Sequence, residues 1–214
     1  MADRLRLFYL FDPLCGWCYG ASAIVRRLAA LPGVELVPSP TGLFSGDGAR
    51  PMDEAFAAYA WANDQRIERL TGQPFTEDYR HRVLGDRSRP FDSGPATLTL
   101  AAVAVTEPGR ELEALAAIQA VRYVEGRDIT DAAVLCDMLH ACGLVEAARR
   151  LAAPDAPLHA ADEARRTAAS GLMHRFGLTG VPALVAGEGA GARPVGANRL
   201  FGDFDLLVRT IRPT

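Results

Sequence analysis

The chain has 214 residues, 49% of them apolar and 23% charged, which is the balance of one globular domain and excludes a disordered or collagen-like polymer. All 23 basic residues are arginine, so lysine Schiff-base chemistry and a Walker-type phosphate lysine are excluded. With 26 acids the net charge is -3, which offers no positive field for nucleic acid or an anionic membrane surface.

No run of about 18 apolar residues reads as a membrane span. The apolar stretch from Leu7 to Phe11 is broken by Asp12-Pro13, too early for a secretory signal. The chain therefore reads as cytoplasmic, where paired cysteines are more often catalytic or metal-binding than structural.

In chain order, residues 5–11 form a short aromatic-rich run that predicts a buried strand. Ala21, Ile24, Val25, Leu28 and Leu31 then share one helical stripe, stopped by Pro32-Gly33. Residues 34–37 predict a second strand, ended by Pro38 and Pro40. Strand, helix and strand make a βαβ unit with a parallel pair. From Pro51 onward the pattern predicts helices only, over 54–70, 96–106, 111–125, 131–142 and 144–152. Asp131 suits an N-cap and Gly143 a position just past a helix end. A stripe from Ala161 to Phe176 is closed by Gly177. Strands over 183–186 and 194–196 follow, with Gly187, Gly189 and Gly191 in a hairpin turn between them. A closing helix over 200–211 should turn Leu206, Leu207 and Ile211 inward. This order predicts an α/β sheet domain formed by 1–50 and 160–214, split by an all-helical insertion at 51–159.

Cys15-Gly16-Trp17-Cys18 carries the strongest chemical signal. It follows a strand and begins a helix, where free backbone N–H groups favour a thiolate. The i, i+3 spacing puts both sulfurs on one face, close enough to form a disulfide. Cys15 is then the exposed nucleophile and Cys18 the buried resolving thiol. Half of a zinc site is the competing reading. No second Cys-x-x-Cys exists and no histidine lies within thirty residues, so no metal is expected. Val181-Pro182 reads either as a plain turn into a strand or as a cis-proline loop facing the cysteines. Asp12 suits a turn or cap, with a role as proton acceptor for Cys18 the lesser alternative.

Cys136 and Cys142 are six apart on one predicted helix, about 120° off a common face and about 9 Å apart in rise, so they read as core residues rather than a second pair. Arg80, Arg82, Arg87 and Arg89 surround His81 with only Asp86 opposing. They read as a solvated face, with an anion site as the lesser alternative. His140, His159 and His174 are isolated and receive no role.

The run from Phe11 to Tyr19 resembles the active-site segment of the DsbA-like thioredoxin family, in its cytosolic FrnE-like branch of predicted protein-disulfide isomerases. Gly180-Val181-Pro182-Ala183 is similar to the family's cis-proline loop. Asp92-Ser93-Gly94-Pro95-Ala96 and Glu125-Gly126-Arg127-Asp128-Ile129 are similar to parts of its helical insertion, so the likeness spans nearly the whole chain. The resemblance implies a thioredoxin-like fold with the helical domain inserted. It also implies thiol–disulfide exchange through Cys15 and Cys18, as oxidoreductase or isomerase, without a cofactor. Substrate would bind along Trp17, Val181 and Pro182, a peptide pairing with Val181 as an added strand. Protein or small-molecule disulfides, and glutathione, are the implied partners. The dipeptide Gly-Trp departs from the Pro-His of periplasmic oxidases and the Gly-Pro of thioredoxins. With no histidine there to stabilise a thiolate, the pair should be less oxidising. Two other functions compete: a kappa-like glutathione-dependent transferase or isomerase, against which Cys18 argues, and a non-catalytic peptide-binding module.

Overall fold

The computed structural model describes residues 4–212. Strand β1 (Leu5–Phe11) has neighbours on both edges and packing on both faces, which is why it reads as apolar almost throughout. Leu7, Tyr9 and Phe11 point into the larger core, while Phe8 and Leu10 face a smaller one. This is the alternation a strand imposes. Asp12-Pro13 end β1, and the chain passes into α1 (Gly16–Gly20) and α2 (Ser22–Ala29). The single helix expected here carries a local irregularity at Ala21. Helical bonding runs through it, from Ala21 N to Trp17 O and from Val25 N to Ala21 O, both at 3.0 Å.

Strand β2 (Val34–Pro40) pairs in parallel with β1, from Leu5 opposite Val34 to Phe11 opposite Pro40. It runs through Pro38 and Pro40, where a stop was expected. Thr41 N donates to Phe11 O at 2.8 Å, so the odd-numbered positions turn their N–H toward β1 and the prolines face away. A missing N–H on an outer edge costs the ladder nothing.

The middle segment begins with β3 (Arg50–Pro51) and α3 (Glu54–Thr71). Asp53 caps α3 by accepting from Phe56 N at 2.7 Å, and Gly72, at φ 74°, ends it. A π-helical turn covers Tyr79–Leu84. Strand β4 (Pro90–Phe91) pairs antiparallel with β3, so this region holds one miniature ribbon among helices where helices alone were expected. Then come α4 (Gly94–Thr106), α5 (Glu111–Tyr123), α6 (Ala132–Ala141), α7 (Val145–Ala152) and α8 (Ala156–Arg175). Asp131 caps α6 through Ala133 N at 2.8 Å, and Gly143, at φ 69°, follows its end. Asp155 caps α8 through Leu158 N at 2.9 Å, so this helix starts before the boundary drawn at 160 and crosses it without a break.

Strand β5 (Ala183–Ala186) returns antiparallel beside β1, and the glycine turn leads into β6 (Arg193–Val195). The sheet order is β2-β1-β5-β6. Helix α8 covers one face, burying Ala169 with Leu10, Ala183 and Val185. The end differs from the expected single helix. A 3-10 turn over Ala197–Phe201 is followed by α9 (Phe204–Ile211), which Asp203 caps through Leu206 N at 2.7 Å. In that register Leu207 and Ile211, four apart, are buried, while Leu206 turns outward at 39% exposure.

Candidate active site

The turn out of β1 is held by Asp12. Its Oδ1 accepts from Leu14 N at 2.9 Å and its main-chain carbonyl from Cys15 N at 3.1 Å. Oδ2 accepts from Ser93 Oγ at 2.7 Å and Phe44 N at 3.1 Å. Asp12 thus forms the turn and ties it to two distant segments, but makes no side-chain cap on α1. Burial pushes its carboxyl above the usual range, against the pull of these hydrogen bonds and of Arg122.

Cys15 stands immediately before α1 and Cys18 within it, and both are free thiols. Cys15 is 8% exposed, more covered than an open nucleophile, and Cys18 is fully buried. Burial, reinforced by the neighbouring Cys15 and by the Asp12 carboxylate, pushes the Cys18 thiol well above its ordinary range. Tyr9 donates to the Cys18 carbonyl at 3.2 Å, beneath the pair.

The bond between Val181 and Pro182 is cis. The Cys15 thiol donates to the Val181 carbonyl at 3.5 Å, so this loop lies directly against the first sulfur. Beside it opens a groove of about 540 Å³ between Trp17, Val181, Pro182, Asn198 and Phe201. Among the described residues no charged side chain lines it. Trp17 meets Phe201 edge-on at 5.1 Å, and the Arg66 guanidinium stands 5.8 Å from the indole centroid. The structure therefore places Trp17, Val181 and Pro182 on the groove, Cys15 against Val181, and Cys18 and Asp12 fully buried behind it.

Four further residues shape this region that sequence reasoning missed. Asp64 on α3 is 4% exposed and lies against Gly16. Tyr79 donates to its Oδ2 at 2.9 Å. Tyr123 on α5, 1% exposed, donates to Leu14 O at 2.7 Å, just before Cys15. Arg122, 2% exposed, has its guanidinium carbon 5.4 Å from the Tyr79 and Phe91 ring centroids and 5.6 Å from that of Tyr123. The available signal was register. Asp64 falls on the stripe of Ala57, Ala60 and Ile67, and Arg122 lies four residues after the buried Ile118. Tyr123→Phe leaves a buried carbonyl without its donor. It will cost about 1–3 kcal/mol, read from the midpoint of urea unfolding.

The remaining singled-out residues stand elsewhere. Cys136 lies on α6 and Cys142 at its end, both partly exposed rather than in the core. Cys136 Sγ is 3.8 Å from Ala148 O, and Cys142 Sγ is 4.0 Å from Met138 Sδ. The arginines have more acidic partners than Asp86. Arg80 pairs with Glu77 at 3.3 Å, Arg82 with Asp78 at 3.6 Å and Arg89 with Asp128 at 3.6 Å, while Arg87 bonds the Leu84 carbonyl. His81 also faces Glu77 at 3.3 Å. Among the described residues no group of three or more His, Cys, Asp or Glu is placed to hold a metal, and no helix is long and apolar enough to cross a membrane.

A mixed sheet of order β2-β1-β5-β6, with a Cys-x-x-Cys helix after β1 and a cis-proline loop before β5, defines a thioredoxin-like protein. The cytosolic disulfide reductase DsbM from Pseudomonas aeruginosa is 32% identical over 96% of this chain and 97% of its own, with a TM-score of 0.84. The same protein solved with GSH gives 0.79 at the same identity. A Nitrosomonas europaea protein assigned as a disulfide isomerase shares the fold at 0.75 and 22% identity, over 97% of this chain and 99% of its own. No family model matches the chain, and no curated protein does. The chain belongs to the DsbA-like thioredoxin-fold family of thiol–disulfide oxidoreductases.

Proposed function

We propose that the protein is a cytoplasmic disulfide reductase that works through Cys15 and Cys18, with glutathione restoring the thiols. The observation that carries this reading is the Cys15 thiol held against the Val181 carbonyl at the mouth of an uncharged groove. In the reaction the Cys15 thiolate attacks one sulfur of a substrate disulfide. A new S–S bond forms as the substrate bond breaks, and the departing thiolate takes up a proton. Cys18 then loses its proton and attacks Cys15 Sγ, which releases the second substrate thiol. The substrate gains two electrons and two protons, and the enzyme holds a Cys15–Cys18 disulfide. Two glutathione thiols reverse that oxidation and leave as glutathione disulfide.

Each residue has a place in this scheme. Burial keeps Cys18 protonated until the mixed disulfide forms, and the Asp12 carboxylate, whose charge acts on that thiol, receives its proton. Trp17 and Phe201 offer an apolar wall to the substrate side chain, while the backbone at Val181 offers hydrogen bonds to a peptide. Glutathione is itself a peptide, and the reductase DsbM, which resembles this chain, has been solved with GSH. Residues 1–50 and 160–214 form the exchange domain in this scheme, with 51–159 packed over it.

The test is reduction of insulin by glutathione with and without the protein, coupled to glutathione reductase. Acceleration supports the reading. An unaccelerated rate, with intact folding, leaves only a peptide-binding module. Conjugation of chlorodinitrobenzene to glutathione would point to the transferase instead. Replacing both Cys136 and Cys142 by alanine will leave turnover within about threefold, since neither sulfur lies at the groove and each substitution removes only a small, partly exposed group.

A further inference from the structure

Gly16 and Gly20 lie four apart on one face of α1, and α3 rests on that face. A Cβ on Gly20 would lie 2.6 Å from Ile67 Cγ2, and one on Gly16 would run into Asp64 Oδ1. Neither glycine has a positive φ, so glycine is needed here for space. The middle segment thereby presses a carboxyl against the residue between Cys15 and Trp17.

Asp12 adjoins the Cys-x-x-Cys loop and Asp64 lies against its Gly16, and the buried Arg122 guanidinium, hydrogen-bonded to neither, draws both carboxyls down by its charge. The two are held differently. Asp12 accepts from Leu14 N, Phe44 N and Ser93 Oγ, which suits a charged carboxylate. Asp64 accepts from Tyr79 alone, and its Oδ1 faces Gly16. Three donors favour charge on Asp12 against one on Asp64, so the buried Asp64 is the one that takes up a proton more readily.

We propose that Asp64 is a positioning residue that sets the pH at which Cys15 becomes nucleophilic: neutral, it leaves the Cys15 thiolate unopposed, and ionised, it places a second negative charge beside the loop. This rests on the reading of Cys15 as the attacking thiol. The groups facing Asp64 are Tyr79 from the π-helical turn and Arg122 and Tyr123 from α5. Those acting around Cys15 are Cys18, Tyr9 and Tyr123. Burial pushes the Asp64 carboxyl up to about 7, with the Tyr79 hydrogen bond and Arg122 pulling it down. The switch therefore falls near neutrality.

The sign follows from repulsion between like charges. Below the Asp64 ionisation its carboxyl is neutral, and wild type and Asp64→Asn behave alike. Above it, the wild-type carboxylate suppresses the thiolate and the variant does not. A like charge that raises the ionisation of the thiol by about half a pH unit to one unit lowers the thiolate population roughly threefold to tenfold.

The experiment is the rate of iodoacetamide alkylation at Cys15, followed by peptide mass from pH 5 to 10, for wild type, Asp64→Asn and Tyr79→Phe. Asp64→Asn is expected to react about threefold to tenfold faster than wild type near pH 8 and equally at pH 6. Tyr79→Phe removes the donor that favours the charged carboxylate. It is expected to move the suppressed part of the profile to higher pH, and it decides the matter should Asp64→Asn fail to fold. Superimposable profiles for wild type and whichever of these variants folds would overturn the proposal. Cys15 that is inert to alkylation in wild type at every pH would instead overturn the reading of Cys15 as the attacking thiol.

Discussion

Cys15→Ala will reduce disulfide exchange to the uncatalysed rate, while Cys18→Ala will still attack and then stall as a mixed disulfide. The difference comes from position. Cys15 borders the groove and touches the Val181 carbonyl, whereas Cys18 is fully buried behind it. A substrate sulfur can reach the first thiol, and only the mixed disulfide brings a sulfur within reach of the second. Non-reducing electrophoresis after incubation with a disulfide substrate checks the assignment. Adducts should accumulate with Cys18→Ala and be absent with Cys15→Ala. The opposite pattern would reverse the roles.

The largest stability effect is expected at Asp12. Alanine there leaves Leu14 N, Phe44 N and Ser93 Oγ without their acceptor in a site with no exposed surface. Each orphaned donor costs about 1–3 kcal/mol, and because the three losses are not independent the sum should be roughly 3–5 kcal/mol. That is a large share of the 5–15 kcal/mol typical of a domain, so Asp12→Ala should unfold at a much lower urea concentration. Asp12→Asn keeps one acceptor oxygen and should lose about half as much. A midpoint unchanged by Asp12→Ala would mean that the turn is held by the backbone alone.

The contrast between Asp12 and Asp64 also shows what the chain reveals about itself. The Cys-x-x-Cys run, β1 and the caps at Asp131 and Gly143 are local signals, set by neighbours a few residues away, and they were legible. The path of β2 through Pro38 and Pro40 was not. A proline stops a strand only where its N–H would face a partner, and that depends on which edge of the sheet the strand occupies. The outward turn of Leu206 depends on Asp203 restarting the helix after Gly202, a shift of register that an apolar count does not reveal. Asp64 and Arg122 sit on visibly apolar faces, yet their burial makes sense only once Tyr79, from the π-helical turn between their two helices, bonds Asp64 and lies beside the Arg122 guanidinium. Of the arginines near His81 only Arg89 has its acid far off in sequence, at Asp128 beyond α4 and α5, whereas Glu77 and Asp78, one turn before Arg80 and Arg82, were within reach of a local reading that counted Asp86 alone.

The prolines of β2 carry a further consequence. The other outer strand of the sheet, β6, has Pro194 at its centre, and the small ribbon has Pro51 in one strand and Pro90 in the other. Pro38 also has its carbonyl occupied, accepting from Arg165 at 3.2 Å. Every exposed strand border thus lacks a donor at some position, and a foreign chain cannot continue the ladder along it. An extended segment of another chain therefore finds no growing edge on which to stack, and under the proposed reading a peptide substrate would be left with the cis-proline loop beside Cys15 as its one place to pair.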